Sequence, residues 1–182
     1  IPAKGFDETQ LLRFAATLER GSEHPLGAAI VAAAAGRDVA LDELTDFASL
    51  TGKGVTGQVD QKIVTLGNGA LMADLNIPLA ELLDSAEALR SEGATAFFVS
   101  VDGSLAGVLA VLDPIKETTR AALDSLREDN IEIVMVTGDN RTTANAVAAT
   151  LGIETVEADI LPADKETIVR RYQEAGRRVA MA

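Results

Sequence analysis

Two hydrophobic periods alternate along the first 112 residues of the chain. Apolar residues at helical spacing predict three amphipathic helices, one that Asp7 opens, one over 25–36 and one over 78–91. A period of two begins near residue 47 and returns over 95–112, which predicts two antiparallel hairpins turning at Asp60-Gln61 and Asp102-Gly103. Gly67-Asn68-Gly69 is expected only to end the first hairpin. The pattern predicts an α+β domain in which helices flank an antiparallel sheet.

After Leu112 the rhythm changes to an alternation of helices and short apolar strands. The predicted order is a helix over 118–130, a buried strand over 131–136, a helix over 142–151, a strand over 155–157, a helix over 165–175 and a final strand at Val179. Such alternation predicts a parallel sheet flanked by helices. We therefore expect two domains, 1–112 and 113–182, of which the second is an α/β unit.

Composition narrows the chemistry that is open to the chain. Its 182 residues are 47% apolar, which is enough for a core, and no apolar run approaches the roughly 20 residues of a membrane span. Cysteine is absent, so thiol catalysis, disulfides and Cys-ligated zinc are excluded, and imidazole chemistry is restricted to His24. The net charge of −12 argues against a nucleic-acid-binding surface.

A candidate phosphate site follows the predicted strand over 131–136. Thr137, Gly138 and Asp139 lie between that strand and a helix N-terminus, where ligands of parallel sheets bind and where free N–H groups suit phosphate. A plain tight turn, with Asp139 or Asn140 capping the helix, explains the same residues equally well. Lys165 opposes the dipole at the start of the last helix, which indicates either a nearby anion or a solvated surface side chain.

The glycines of Gly52-Lys53-Gly54-Val55-Thr56-Gly57 have the spacing of a dinucleotide-binding fingerprint but not its context. A strand pattern follows them where that motif needs a helix, so we reject this interpretation. Two glycines entering a strand still permit a flat ligand to approach the backbone, and a bulge or turn is the alternative. His24 is either structural or a ring that stacks on a base, with Glu19 accepting a hydrogen bond from an exocyclic amine.

Six short motifs occur in an order that resembles the heavy-metal-transporting P-type ATPases, and the likeness covers nearly the whole chain. They are Ser-Glu-His-Pro-Leu (22–26), Gly-Lys-Gly (52–54), Gly-Asn (67–68), Asp-Pro-Ile-Lys (113–116), Thr-Gly-Asp-Asn (137–140) and Leu-Pro-Ala-Asp-Lys (161–165). The resemblance implies a nucleotide-binding domain joined to part of a haloacid-dehalogenase-like phosphorylation domain. It also implies in-line transfer of the γ-phosphoryl group of Mg-ATP to an aspartate.

The same resemblance implies a role for each matching residue. An ATP site is implied at Glu19, His24, Gly52, Gly54, Gly67 and Asn68. Thr137, Gly138 and Asp139 are implied at the phosphorylation site, with Lys165 offsetting the charge of the transferred phosphoryl group. No metal-ligating residue is expected in the chain itself, since the Mg²⁺ ligands of the family lie largely in a motif that the chain lacks.

Two family motifs are absent, and their absence limits what we expect of the chain alone. Neither Asp-Lys-Thr-Gly-Thr, which carries the phosphorylated aspartate, nor Gly-Asp-Gly-x-Asn-Asp occurs. We therefore expect a cytoplasmic fragment of a prokaryotic membrane protein that binds ATP and ADP without turnover. The implied parent exports a soft metal ion, with Cu⁺ favoured. That ion is held in absent transmembrane helices, and the fragment contacts other cytoplasmic domains. Transport of Zn²⁺, Cd²⁺ or Pb²⁺, or a soluble phosphatase, is the alternative.

Overall fold

The computed structural model describes residues 1–181, which form two compact units. The first unit is Ile1–Asp113, and the second begins at Pro114. Within residues 1–181, every helix is too short or too polar to cross a bilayer.

An antiparallel sheet of five strands in sequential order forms the centre of the first unit. The strands are β1 (Leu44–Leu50), β2 (Gly54–Val59), β3 (Lys62–Gly67), β4 (Thr95–Val101) and β5 (Ser104–Val111). The helices are α1 (Glu8–Glu19), α2 (Pro25–Ala35), α3 (Gly69–Asp74) and α4 (Leu83–Ser91). The predicted α+β architecture of this unit is confirmed.

Two-residue turns set the register of both predicted hairpins. Asp60 and Gln61 have φ of 50° and 63°, and Asp102 and Gly103 have φ of 49° and 76°. Positive φ at both central residues is typical of the type I′ turn, whose twist matches that of the strands it joins. The first turn pairs Val59 with Lys62, and the sequence predicted both turns correctly.

Helices cover both faces of the sheet. Phe98 and Val99 are neighbours in β4, so their side chains point to opposite faces, and both are buried. Val99 packs in a cluster with residues of α1 and α2, including Leu11 and Leu18. Phe98 packs in a second cluster with Met72 of α3 and other residues of the α3–α4 side. The sheet is therefore a central layer between two apolar clusters.

Three elements of the first unit differ from the sequence prediction. Strand β1 begins at Leu44, three residues before the predicted start near residue 47. A bulge around Asp46 (φ 52°) breaks its register, and it therefore hides the alternation of apolar and polar residues at the start of the strand. Helix α3 was not predicted, since Gly67-Asn68-Gly69 looks like a break and proves to contain its cap. Helix α4 begins at Leu83 rather than residue 78. The apolar residue Leu82, which fits the helical spacing, lies in a turn before the helix and packs into the core from there.

The second unit alternates helices and strands as predicted. Its elements are α5 (Glu117–Glu128), β6 (Val134–Val136), α6 (Arg141–Leu151), β7 (Thr155–Glu157), a 3₁₀ turn (Pro162–Asp164) and α7 (Lys165–Glu174). Strands β6 and β7 pair in parallel, with Val134 opposite Thr155. The predicted parallel sheet is therefore confirmed.

Two strand predictions in the second unit are wrong. The strand expected over 131–136 is limited to Val134–Val136 and is half-buried, because β7 is the one strand that pairs with it in the described residues. The final strand expected at Val179 does not form over 177–181. A strand requires a hydrogen-bonded neighbour as well as apolar residues, and these residues have none in the part of the chain that the structure describes.

The first unit depends on the packing of α1 against the sheet. Leu18 is fully buried (0% exposed). We expect Leu18→Ala to lower the free energy of unfolding of this unit by about 3 kcal/mol, the usual effect of a Leu→Ala cavity. Leu75→Ala, at a position that is 48% exposed, is the matched control and should change it by less than about 0.5 kcal/mol. Urea denaturation followed by amide NMR signals of residues 1–113 measures both, and equal effects would contradict the packing assignment.

Candidate functional site

A buried carboxylate lies where α1 ends. Glu19 is the last residue of α1 and is only 7% exposed, and its Oε2 atom has no hydrogen-bond partner in the described residues. Burial raises the pKa of Glu19, while a hydrogen bond with the Ser22 side chain and the charge of His24 act in the opposite direction. The segment 19–27, termed here the α1–α2 corner, therefore contains a hydrogen-bond acceptor that the protein leaves unused.

His24 has a structural role within this corner. It is the N-cap of α2, and its Nδ1 accepts a hydrogen bond from Leu26 N at 3.2 Å. Pro25 follows at the first helical position, where its missing N–H costs nothing. The ring is exposed despite this role, so one face of it can also contact a ligand.

The predicted glycines are held together by close backbone packing. Gly54 pairs with Gly67 across β2 and β3, and a Cβ at position 54 would lie 2.6 Å from Gly67 Cα. A Cβ at position 67 would likewise lie 2.6 Å from Leu71 Cδ2. Gly52, with φ +71°, forms the turn between β1 and β2. Both Gly54 and Gly67 therefore have a packing requirement for glycine, whatever they bind.

Asn68 joins the two glycine segments. Its Oδ1 accepts from Leu71 N at 3.1 Å and caps α3, while its Nδ2 donates to Gly52 O at 2.9 Å. Its backbone N–H donates to Lys53 O at 2.9 Å. Asn68 thus holds Gly52, Gly54 and Gly67 in one cluster, which we call the glycine cluster.

Strand β1 connects the glycine cluster with the α1–α2 corner. A Cβ at Gly21 would lie 2.8 Å from Phe47 Cδ2, so the end of α1 contacts the middle of β1. Two residues beyond the end of that strand, the chain reaches Gly52. The structure therefore positions the six predicted ATP-site residues within one unit, in two groups that this strand links.

The remaining predicted residues lie in the second unit, at one edge of its parallel sheet. Thr137 follows β6, its Oγ1 donates to Asp139 Oδ2 at 2.8 Å, and Asp139 N donates back to Oγ1 at 3.1 Å. Gly138 is the exposed residue between them. Asn140 caps α6 by accepting from Thr142 N at 2.8 Å, so the tight-turn interpretation describes the local contacts accurately.

Lys165 lies beyond the carboxyl end of β7, the second strand of the same sheet. Ile160 N donates to Thr137 O at 3.0 Å, which holds the segment after β7 against the turn after β6. Lys165 begins α7 five residues later. Its side chain has no ion pair or hydrogen bond with another residue of 1–181, so its charge is available to an anion.

Two features of the site escaped the sequence prediction. Lys53 forms an ion pair with Asp74, which fastens the Gly52–Gly54 turn to the end of α3. Gly27 packs directly on the Glu19 carboxylate. The available signal for Gly27 was a glycine inside an otherwise alanine-rich helix, where glycine is a poor helix former.

An open cleft of about 380 Å³ contains none of the predicted residues. It lies between the start of α1 and the segment after α2, and Arg13 and Arg37 contribute to its wall. Arg13 Nε is 3.4 Å from Asp42 Oδ2 within it, so part of its charge is already neutralised. Across residues 1–181, no group of three His, Asp or Glu side chains is arranged to hold a metal ion.

Comparison with known proteins decides the family. The family model described as "haloacid dehalogenase-like hydrolase" matches residues 3–182. The chain belongs to the haloacid dehalogenase-like hydrolases. This hydrolase chain is 50% identical over 175 residues to a "Copper-transporting P-type ATPase" of Rhizobium leguminosarum bv. viciae, a match that covers 96% of the chain and 21% of the relative. It is 46% identical over 182 residues to a "Copper-exporting P-type ATPase" of Legionella pneumophila, with coverage of 100% and 25%.

Solved structures give the same result for this dehalogenase-like chain. A zinc-transporting PIB-type ATPase in its E2.Pi state matches with a TM-score of 0.62 and 29% identity, over 96% of this chain and 28% of that one. The catalytic domain of the CPx-ATPase CopB-B matches with a TM-score of 0.68, over 98% and 62%, and its 21% identity shows the fold alone. The predicted resemblance to heavy-metal P-type ATPases is confirmed, and the chain spans about a fifth to a quarter of the length of these curated relatives.

Asn68 contributes both a helix cap and a link between the glycine segments. We expect Asn68→Ala to lower the free energy of unfolding by about 1 kcal/mol, the usual effect of losing an N-cap. Asn68→Ser keeps a side-chain oxygen that can accept from Leu71 N and lacks the donor to Gly52 O, so it should cost less. Urea denaturation of both variants tests this, and equal losses would contradict the capping role.

The buried Glu19 makes a prediction about pH. Because burial raises its pKa in the folded state, the folded protein holds this proton more tightly than the unfolded chain, and stability falls as pH rises above the ordinary Glu value of 4.5. Glu19→Gln lacks this titration. Its free energy of unfolding relative to wild type should therefore increase with pH from about 4.5 upward and then level off. Thermal unfolding at a series of pH values measures the difference, and a constant difference would refute the assignment.

Proposed function

We propose that the first unit of this chain is a nucleotide-binding domain that recognises ATP through Glu19 and His24. The observation that carries the proposal is the buried, unpartnered Oε2 of Glu19 next to the exposed ring of His24. A buried acceptor without a donor costs free energy unless a ligand satisfies it. A site that leaves such an atom empty is suited to a ligand with an N–H group.

Adenine is the base that fits this acceptor. It carries an amine at C6, which donates to a carboxylate, whereas guanine carries a carbonyl there and would be repelled. The imidazole of His24 offers a flat, exposed surface on which a base can stack. In the proposed site, Glu19 selects the base and His24 contributes affinity.

The glycine cluster supplies the second part of the proposed ATP site. Gly52, Gly54, Gly67 and Asn68 form one compact backbone surface, because two of the glycines have no room for a side chain. Such a surface permits a flat ligand to approach the main chain closely. Asn68 fixes the surface through its hydrogen bond to Gly52 O.

We assign the phosphoryl-transfer role to residues of the second unit, which we propose is part of a phosphorylation domain. Thr137, Gly138 and Asp139 form a turn before the N-terminus of α6, and Lys165 has no competing ion pair within residues 1–181. Phosphoryl transfer depends on positioning and charge neutralisation, and the Lys165 ammonium offers the latter. The described residues do not form a Mg²⁺ site, so we assign no step through that ion.

The parent activity we propose is ATP-driven export of a soft metal ion across a membrane, with this chain on the cytoplasmic side and Cu⁺ as the ion. Support comes from the names of the relatives, since copper-transporting ATPases share 50% and 46% identity with the chain. The zinc-transporting ATPase of known structure shares 29%. We further propose that ATP, ADP and the other cytoplasmic domains of the same protein are the partners of the chain.

His24 provides the direct test of ATP recognition. We expect His24→Ala to weaken ATP binding by about 1–2 kcal/mol, the order of a lost stacking contact, which isothermal titration calorimetry measures. This substitution also removes the cap of α2, so His24→Asn is the matched control for folding, because Asn caps helices well.

His24→Asn should keep the stability of wild type and lose as much ATP affinity as His24→Ala. ATP affinity equal to that of wild type in His24→Asn would contradict the stacking role. Calorimetry with GTP completes the test, since equal affinities for ATP and GTP would contradict recognition of adenine by Glu19.

A further inference from the structure

Gly27 is the third residue of α2, and its backbone does not need to be glycine. Helix α2 has the sequence Pro-Leu-Gly-Ala-Ala-Ile-Val-Ala-Ala-Ala-Ala, and position 27 lies in its regular helical part. Glycine there is about 1 kcal/mol less favourable than alanine, the residue that follows it. The reason for this glycine must therefore be sought in what its missing side chain would contact.

The missing side chain would occupy the position of the Glu19 carboxylate. A Cβ at position 27 would overlap Glu19 Oε2, and it would lie 3.1 Å from the Cδ atom and 3.4 Å from the Cβ atom of the same residue. The overlapping atom is the unpartnered acceptor of the α1–α2 corner. The carboxylate thus occupies the space that glycine leaves open on the surface of α2.

Other glycines of the first unit have different neighbours. A Cβ at Gly57 would meet Leu18 Cδ1 at 3.0 Å, so an apolar side chain would have to shift there. Gly36 is the C-cap of α2, at the opposite end of the helix from Gly27. The atom nearest to a Cβ at Gly36 would be Ala32 O at 3.5 Å, so a methyl group fits there without any shift. Gly27 therefore differs from both in contacting a charged, buried and otherwise unused group.

We propose that Gly27 is a positioning residue of the ATP site, where its lack of a side chain holds the Glu19 carboxylate between α1 and α2 with Oε2 available to the adenine amine. The proposal rests on the adenine role assigned above to Glu19. Because Oε2 is the far end of a flexible side chain, a methyl group at position 27 displaces the carboxylate and leaves the helices in place. The consequence is a loss of base recognition without a loss of fold.

The first measurement needs no nucleotide. Carbon-13 NMR of the Glu19 carboxyl group, recorded over a pH series, should show that Gly27→Ala lowers the pKa of Glu19 towards its ordinary value, because the displaced carboxylate is less buried. The matched control is Gly36→Ala, which adds the same methyl group to the end of the helix and should leave the pKa of Glu19 unchanged. An unchanged pKa in Gly27→Ala would overturn the proposal.

The second measurement compares ATP with inosine triphosphate, which has a carbonyl in place of the C6 amine. Gly27→Ala should weaken ATP binding about tenfold, the order of one hydrogen bond to a charged group, and leave inosine triphosphate binding unchanged. Gly36→Ala should bind both as wild type does. If wild type and Gly27→Ala both prefer ATP over inosine triphosphate to the same degree, the inference about Gly27 is overturned and the proposed function stands. If wild type binds the two nucleotides equally, the proposed function fails and the inference fails with it.

A double-mutant cycle separates positioning from a general effect on α2. In a Glu19→Ala background, Gly27→Ala should have no further effect on ATP affinity, because the carboxylate that it displaces is gone. An equal loss in both backgrounds would overturn the proposal. If Gly27→Ala alone does not fold, a folded double variant supports the clash with Glu19, and an unfolded double variant overturns it.

Discussion

The candidate site depends on one unsatisfied interaction, the buried Oε2 of Glu19. A carboxylate between two helices loses its hydration, and the protein offers it only the Ser22 hydroxyl and the charge of His24 in return. Such an arrangement is tolerated where a ligand completes it, since a buried acceptor is costly when it has no donor. The local sequence follows from this constraint. Ser22 and His24 favour the charged form, and Gly27 leaves room for it.

In the glycine cluster, the residues that we propose for ATP binding also have packing roles. Gly54 and Gly67 face each other across β2 and β3, where side chains would collide with main chain. Asn68 uses both ends of its amide, one for the cap of α3 and one for the carbonyl of Gly52. His24 likewise combines a structural role with a proposed binding role, since its Nδ1 atom caps α2 while the residue stays exposed. Binding to a rigid surface costs less ordering entropy than binding to a flexible loop, so these structural contacts would favour the proposed binding.

Sequence periodicity predicted the fold where local signals and tertiary contacts agree. The turn at Asp60-Gln61 and the strand Thr155–Glu157 were predicted at the right residues, because turn chemistry and period both point to them. Prediction failed where tertiary packing decides. Leu82 looked like part of a helix, but it lies in a turn that packs into the core. Strand β1 contains a bulge, which interrupts the alternation of apolar and polar residues. In the candidate site, the family resemblance implies roles for Glu19 and His24, and these roles stay predictions. The contact of Gly27 with Glu19 was beyond reach, because it depends on the angle between two helices.

The distribution of charge bears on the different roles that we propose for the two units. Residues 1–112 contain 7 basic and 15 acidic residues, a net charge of −8, and residues 113–182 contain 9 and 13, a net charge of −4. An acidic surface repels a triphosphate but suits the N–H groups of a base, as an acceptor such as Glu19 does. A phosphate group needs local positive charge, which Lys165 and the N-terminus of α6 offer in the second unit. Within each unit, the local charge is therefore compatible with the part of the nucleotide that we propose for it.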